Sequence, residues 1–327
     1  MLVTVDASTF EEHRAYLLGV AYRLTGNVSD AEDAVQEAWL RLDRVDESID
    51  NLRAWLTTVV GRLCLDHLRS AAVRRESYIG QWLPEPIVTD LGGARSDDPL
   101  ESVVRDEDAH LAAMVVLDAM PPAQRVSFVL HDAFSVPFSE VAALLGVSPA
   151  AARQLASRGR RAAASTPPPA SPAEHADAVQ RLVEALASGD LDRIVRTLDP
   201  DVVSIGDANG TTKTAPNVIR GPEKFARFFV GLTRMYGVEA LMTRTPVLVN
   251  GRLGFYGGMV EGDGTHPPIA PRITGYAVRD GRVCASYDVA NPEKFGGILL
   301  PEAARPESGP PGSGRLNPAQ ARRPPQH

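Results

Sequence analysis

Apolar positions recur at helical spacing through the first half of the chain and alternate with polar ones near its end. Over residues 10–25, Phe10, Leu17, Leu18, Ala21, Tyr22 and Leu24 mark the buried face of a helix that Gly26 and Asn27 close. The next stretch, 29–42, reads SDAEDAVQEAWLRL. Val35, Ala38, Trp39 and Leu42 fall at i, i+3, i+4 and i+7, one apolar stripe. Asp30, Asp33 and Glu37 lie away from it, with Gln36 beside them, so one helix carries a core face and an acidic face. Ser29 is expected to cap this helix, and Glu32 three residues later completes a capping box. A third helix over 51–75 buries Leu52, Trp55, Leu56, Val59, Val60, Leu63 and Leu68, with Trp55 read as core rather than as a stacking platform.

Residues 76–99 lose both periods. Gly80, Pro84, Pro86, Gly92, Gly93 and Pro99 punctuate them, which predicts a linker. Inside it, WLPEP at 82–86 is a stiff extended piece headed by an aromatic, able to plug a groove or simply to span a gap. Helical spacing returns over 100–164. There FSEVAALLG (138–146) and VSPAAARQLASRGRRAA (147–163) form a helix-turn-helix candidate. Gly146 suits the left-handed residue that ends the first helix. Ser148 caps the second, with Pro149 at its first position. A second linker, 165–174, contains three consecutive prolines. Over 175–295 helices come first (175–187, 191–198, 221–235), with a short strand at 202–205. Strands then follow at 238–249, 252–261, 273–279 and 282–289, with Asn250-Gly251 and Asp280-Gly281 as type I′ hairpin turns. That order predicts an α+β cone with a curved sheet. Residues 296–327, rich in Pro, Gly and Arg, are expected to be a disordered tail.

Charge sharpens the picture. The 327 residues carry a formal net charge of −7, which by itself argues against a nucleic-acid binder. The distribution does not. Segment 30–50 holds Asp30, Glu32, Asp33, Glu37, Asp43, Asp46, Glu47 and Asp50 against Arg41 and Arg44, whereas 148–164 has Arg153, Arg158, Arg160 and Arg161 and no acid. Local basic patches decide DNA affinity. Cys64 and Cys284 offer neither a metal spacing nor a disulfide framework, and no signal pattern or membrane-length apolar run is visible, so a soluble cytoplasmic protein without metal or cofactor is expected.

The second helix of the helix-turn-helix candidate projects Arg153, Gln154, Ser157 and Arg158, types that read base edges, and Arg160 and Arg161, types that clamp phosphates. The end of the 51–75 helix turns basic at Arg62, Arg69, Arg74 and Arg75. These suit a nucleic-acid backbone, and equally complement the helix dipole. The acidic face of 29–42 suits either solvent or a basic partner.

Taken together, 10–75 resembles region 2 of bacterial sigma factors of the extracytoplasmic-function group, carried by DAEDAVQEAWLRL (30–42) and LRAWLTTVVGRLCLDHLR (52–69); 120–163 resembles sigma region 4. The C-terminal part resembles the SnoaL-like, ketosteroid-isomerase-type fold. NPEKF (291–295) is similar to a signature of the subgroup with a fused SnoaL-like domain, as is WLPEP. DANGTTK (207–213) stands where that subgroup has a glycine-rich loop, but departs from its pattern.

The resemblance implies two all-α sigma modules followed by an α+β cone: region 2 at 1–75, region 4 at 100–164 and the SnoaL-like domain at 175–295. It implies RNA polymerase core as partner, through the β′ coiled coil and the β flap, with Asp30, Asp33, Gln36 and Glu37 on the docking face. Promoter DNA would be held at −10 by Arg62, Arg69, Arg74 and Arg75 and at −35 by the region 4 helix. It further implies regulation in cis by the C-terminal domain, and the joint presence of the two motifs suggests that Asn291, Pro292 and Lys294 contact either Trp82, Pro84 and Pro86 or the region 2 surface; room is left for a small-molecule ligand in the cone. Two other readings stand beside it. A plain helix-turn-helix regulator with a sensing domain would not need the acidic helix. An isomerase-like enzyme would need a carboxylate such as Asp207 or Asp288 in a dry pocket; His266 reads as an exposed loop residue, and no catalytic set is expected.

Overall fold

The computed structural model describes residues 7–45, 48–75, 78–92, 98–104, 109–164, 170–212, 214–215, 217–262, 264–300 and 305. Three helices open the chain: α1 (Ala7–Thr25), α2 (Val28–Leu42) and α3 (Leu52–Arg75). Gly26 adopts a left-handed conformation (φ 71°), ending α1 where expected. The cap of α2 differs from expectation. Asn27, not Ser29, is extended (φ −137°, ψ 135°), and its side chain accepts from the Asp30 amide, so the helix starts earlier. A carboxylate from far along the chain takes the Val28 amide, as described below.

Helices α4 (Pro99–Val104), α5 (Leu111–Asp118) and α6 (Pro122–Phe128) follow, and α6 runs into a wide helical turn at Val129–Ala133. Then come α7 (Phe138–Leu145) and α8 (Pro149–Ala164), joined through Gly146 at φ 68°, with Ser148 Oγ accepting from the Ala151 amide at 3.2 Å. The two helical modules do not stand apart. Leu56, Val60 and Cys64 of α3, Leu17 and Leu24 of α1, Val126 and Leu130 after α5, and Val141 and Leu144 of α7 belong to one buried cluster. A Cβ on Gly61 of α3 would lie 2.7 Å from Leu144 Cδ1, so glycine there lets α3 reach α7. Arg125, 1% exposed, donates from Nε to the Arg23 carbonyl (3.0 Å) and pairs with Asp118 (3.1 Å), tying α6 to α1.

The remainder is a helix-backed sheet. Helices α9 (Pro172–Ser188), α10 (Leu191–Thr197), α11 (Pro222–Tyr236) and α12 (Val238–Met242) accompany strands β2 (Leu198–Asp207), β3 (Ile219–Arg220), β4 (Arg244–Val249), β5 (Arg252–Gly257), β6 (Arg272–Arg279) and β7 (Arg282–Val289). With β1 (Val88–Thr89), the strand order is β1-β4-β5-β6-β7-β2-β3, antiparallel except for β2 beside β7. Both expected hairpin turns form, with Asn250-Gly251 at φ 48° and 75° and Asp280-Gly281 at 49° and 68°. One face of the sheet packs on α9, α10 and α11 through Val179, Leu182, Ile194 and Phe225. The other packs on Leu83, Val88, Leu111 and Ala112 through Val247, Val249, Tyr287 and Val289.

Five further expectations are corrected. The strand expected at 238–249 begins as helix α12, because Glu239, Leu241 and Met242 favour a helical turn after Gly237 (φ 82°) and pairing with β5 starts only at Arg244. The strand expected at 252–261 ends at Gly257, where its pairing with β6 stops. The stretch read as linker 76–99 supplies a sheet strand: Leu83, Ile87 and Val88 are fully buried, and Val88 and Thr89 pair with Val249 and Leu248. Proline keeps this segment extended, and an extended segment finds its hydrogen bonds at a sheet edge. The tail read as 296–327 is ordered at its start. Ile298 and Leu300 are buried, Val88 donates to the Gly297 carbonyl and Leu299 to that of Val88. The rest of that tail, Arg305 apart, lies outside the described residues. Likewise the second linker gives way to α9 at Pro172, with Ser171 accepting from the Glu174 amide.

Candidate functional site

Helix α8 buries Ala152, Ala156 and Gly159 and turns the opposite face outward. Gly159 is required by close approach: a Cβ there would lie 2.5 Å from Phe128 Cβ, and Ser127 Oγ donates to the Ala152 carbonyl at 2.7 Å. This fixes the outward face, on which Arg153, Gln154, Arg158, Arg160 and Arg161 are exposed and Ser157 is half-buried. Arg160 is held by Asp132 through two bonds of 2.6 and 2.9 Å, Arg161 donates to the Ser157 carbonyl at 3.4 Å, and Arg153 sits 5.5 Å from the Phe138 ring centre. The patch is basic and exposed among the described residues.

On α2, Asp33 and Gln36 are exposed and Asp30 and Glu37 half-buried. Glu37 pairs with Arg41 at 2.9 Å, and Asp30 faces His67 of α3 at 3.6 Å. The stripe Val35, Ala38 and Leu42 is buried and Trp39 packs on Phe10, as the spacing required. On α3, Arg62 and Arg69 are exposed, Arg69 lying 3.6 Å from Asp66, and Trp55 packs against the core. The side chains of Arg74 and Arg75 lie outside the described residues.

The segment 78–90 and the end of the C-terminal domain meet in a buried polar centre. Asp207, at the end of β2, has no exposed side-chain surface. Its Oδ2 accepts from Lys294 Nζ (2.6 Å) and from the Leu83 amide (2.7 Å), and its Oδ1 accepts from the Tyr78 hydroxyl. Lys294 also donates to the Leu83 carbonyl and lies 3.3 Å from the centre of the Trp82 ring. Asn291 donates to Tyr78 Oη at 3.0 Å, while its Oδ1 caps the short turn Pro292–Lys294 by accepting from Glu293. Burial, with the Asp207 carboxylate beside it, pushes the Tyr78 phenol above its usual range, so it stays a donor. Of the residues expected to meet, Trp82, Asn291 and Lys294 come together here. Pro84 and Pro86 are buried in the same segment, and Pro292 is exposed.

A second junction sits two residues further on. Glu85 Oε2 accepts the Val28 amide at the start of α2 (2.8 Å), and Oε1 accepts the Gly297 amide (3.1 Å). Burial raises its carboxyl pKa and these backbone donors oppose the rise. The Tyr22 hydroxyl donates to the Glu85 carbonyl (2.7 Å) and accepts from Asn250 Nδ2 (2.8 Å), which also donates to the Ala109 carbonyl (2.8 Å); Asn250 Oδ1 accepts from Ile87 (3.1 Å). One hairpin-turn asparagine therefore joins α1, the 78–90 segment and the connection before α5.

Asp207, Tyr78, Glu85 and Asn250 were not singled out in this role from sequence. The signal for Asp207 was its place in DANGTTK; that for Glu85 was an acid between two prolines. Lys213, from the same loop, lies outside the described residues. Asp288 is in β7, where both carboxylate oxygens are engaged, one by Arg272 (2.8 Å) and one by Thr274 (3.1 Å). His266 lies against Tyr236, ring centres 5.6 Å apart. No helix among the described residues is long and apolar enough to cross a membrane.

Comparison with known proteins matches this division. Residues 9–74 match the sigma-70 region 2 family, 110–162 the sigma-70 region 4 family, and 179–286 the SnoaL-like domain family. The ECF RNA polymerase sigma factor SigJ of Mycobacterium tuberculosis is 54% identical over 302 residues, 91% of this chain and 96% of that protein. The probable ECF RNA polymerase sigma factor SigI of the same species is 38% identical over 226 residues, 65% of this chain and 76% of its own length. The crystal structure of M. tuberculosis SigJ superposes with a TM-score of 0.78 at 53% identity, covering 90% of this chain and all of that one. The basic face of α8, the acidic face of α2 and the helix-backed sheet thus sit on matched sigma and SnoaL-like modules: the chain belongs to the extracytoplasmic-function sigma factors and is an alternative sigma factor, with RNA polymerase and promoter DNA as its partners in transcription initiation.

Proposed function

We propose that the C-terminal domain regulates this sigma factor in cis, by holding the segment between its two sigma modules and with it the packing of region 2 against region 4. One observation carries the reading: residues 83–89 are built into the C-terminal domain's sheet and polar centre while Glu85 caps α2. The −10 and −35 elements are centred about 25 base pairs apart, roughly 85 Å along the duplex at ~3.4 Å per base pair. Modules that share one hydrophobic core do not span that distance, so α3 must part from α6 and α7 for both elements to be engaged. The closed form is then the resting form, and the contacts around Asp207 and Glu85 oppose opening.

In the open form the acidic face of α2, with Asp30, Asp33, Gln36 and Glu37, docks on the basic β′ coiled coil, where complementary potentials speed encounter. Region 4 meets the β flap. Arg153, Gln154, Ser157 and Arg158 read the −35 element while Arg160 and Arg161 hold phosphates. Arg62, Arg69, Arg74 and Arg75 serve the −10 strand. The work is binding and strand opening in the cytoplasm, with no bond chemistry assigned to Asp207 or Asp288. The cone's cavity is the place for a small-molecule effector.

Energy transfer tests the opening. Cys64 and Cys284 are buried, so cysteines placed at exposed Ser70 of α3 and Ser139 of α7 can be labelled selectively. Transfer should be high in the free protein and fall when core polymerase is added. Unchanged transfer in the holoenzyme would sink the closed-to-open reading.

A further inference from the structure

Between the sheet and helix α11 lies a cavity of about 370 Å³. Its upper wall is apolar, with Phe228, Leu232 and Met235 of α11 and Ile269 of the loop before β6. Its floor is polar. Arg272, 12% exposed in its side chain, gives Nη1 to Asp288 and Nε to the Ala270 carbonyl (3.2 Å), but its buried Nη2 has no hydrogen-bond partner among the described residues. Ser286 Oγ, in a residue 1% exposed, also lines the cavity and has no partner there. Arg244 is a second guanidinium on the same floor, donating to Thr274 Oγ1 at 3.3 Å.

Buried donors without acceptors cost free energy, and an apolar cavity with a few convergent polar groups is the usual form of a small-molecule site. Among the described residues lining the cavity, two guanidinium groups face one carboxylate, that of Asp288, and leave one positive charge over. A singly charged oxyanion balances it, whereas a doubly charged phosphate would also face Asp288 with its second charge. The apolar wall requires a hydrocarbon body on that head. We propose that the cavity binds an amphipathic monocarboxylic acid, its carboxylate on Arg272 Nη2 and Ser286 Oγ and its body against α11.

The position matters for regulation. Gly206 lines the cavity and the next residue, Asp207, holds Lys294 and Leu83. Ser286 and Asp288 face the cavity, while Tyr287 and Val289 between and beyond them pack in the cluster containing Leu83 and Val88. A ligand would lie one sheet thickness from the segment joining the sigma modules. The proposal rests on the reading of the cavity as an effector site, and its test separates the two.

Isothermal titration of the full chain with decanoate, 4-phenylbutyrate and 1-decanol reads both. Decanoate or 4-phenylbutyrate should bind saturably at one site. Arg272→Gln should weaken that binding at least tenfold while changing 1-decanol binding less than twofold, and Leu232→Trp, which fills the cavity without touching its floor, should abolish it. If 1-decanol binds as well as decanoate and Arg272→Gln changes neither, the carboxylate class is overturned and the effector site survives. If none of the three binds, or Leu232→Trp leaves binding intact, the cavity is not the site and both readings fall.

Discussion

Lys294 illustrates what a single side chain does here. Its ammonium is buried, pairs with a carboxylate that has no exposed surface, bonds a backbone carbonyl and lies on an indole face. Removing one partner of such a pair strands the other charge in the interior, which costs about 3–5 kcal/mol. Lys294→Met should therefore lower stability by about that much, as read by urea unfolding of the full chain. The exposed Glu37–Arg41 pair, with side chains 43% and 45% accessible, is the contrast: Glu37→Gln should cost about 0.5 kcal/mol or less. Equal losses in the two variants would mean that the centre around Asp207 is open to water. NPEKF marked the lysine in the sequence, but not its partner. Asp207 stands in a loop sequence that departs from the subgroup's pattern, and a buried ion pair spanning 87 residues leaves no local spacing to read.

At the scale of elements, legibility followed locality. Helices α2, α3, α7 and α8 carry long periodic stripes with caps or breakers, so spacing alone located them. Both type I′ turns followed from Asn-Gly and Asp-Gly. What escaped was structure decided by distant partners: β1, whose two residues are a strand only because β4 is beside them, and α12, where a helical turn replaces the first part of an expected strand. The same limit applied to α8. Its arginines were legible, but the grip of Asp132 on Arg160, from the wide turn after α6, was not. That grip makes a prediction. Asp132→Asn should free Arg160 for a phosphate, raising affinity for duplex DNA several-fold irrespective of sequence and steepening its salt dependence by about one unit of log–log slope. A gain confined to one promoter sequence would instead make Arg160 a base reader.

For the whole molecule, the two sigma modules and the C-terminal domain are locked together by the segment between the modules, which reads as a linker and is built as a strand and a pair of polar junctions. Tyr22, Glu85 and Asn250 make one junction and Asp207, Lys294 and Asn291 the other. Deleting the C-terminal domain would uncover Leu83 and Val88, which pack on its sheet, so truncation mixes loss of regulation with loss of structure. Point changes at the Asp207–Lys294 junction separate them. The most direct measurement is single-round run-off transcription with core polymerase, comparing the wild-type chain with the double variant Asp207→Ala and Lys294→Ala, which removes both buried charges together. The account predicts more transcript per polymerase from the double variant, because the segment at 78–90 is released and the modules part more readily. Equal or lower output from a folded double variant would contradict it.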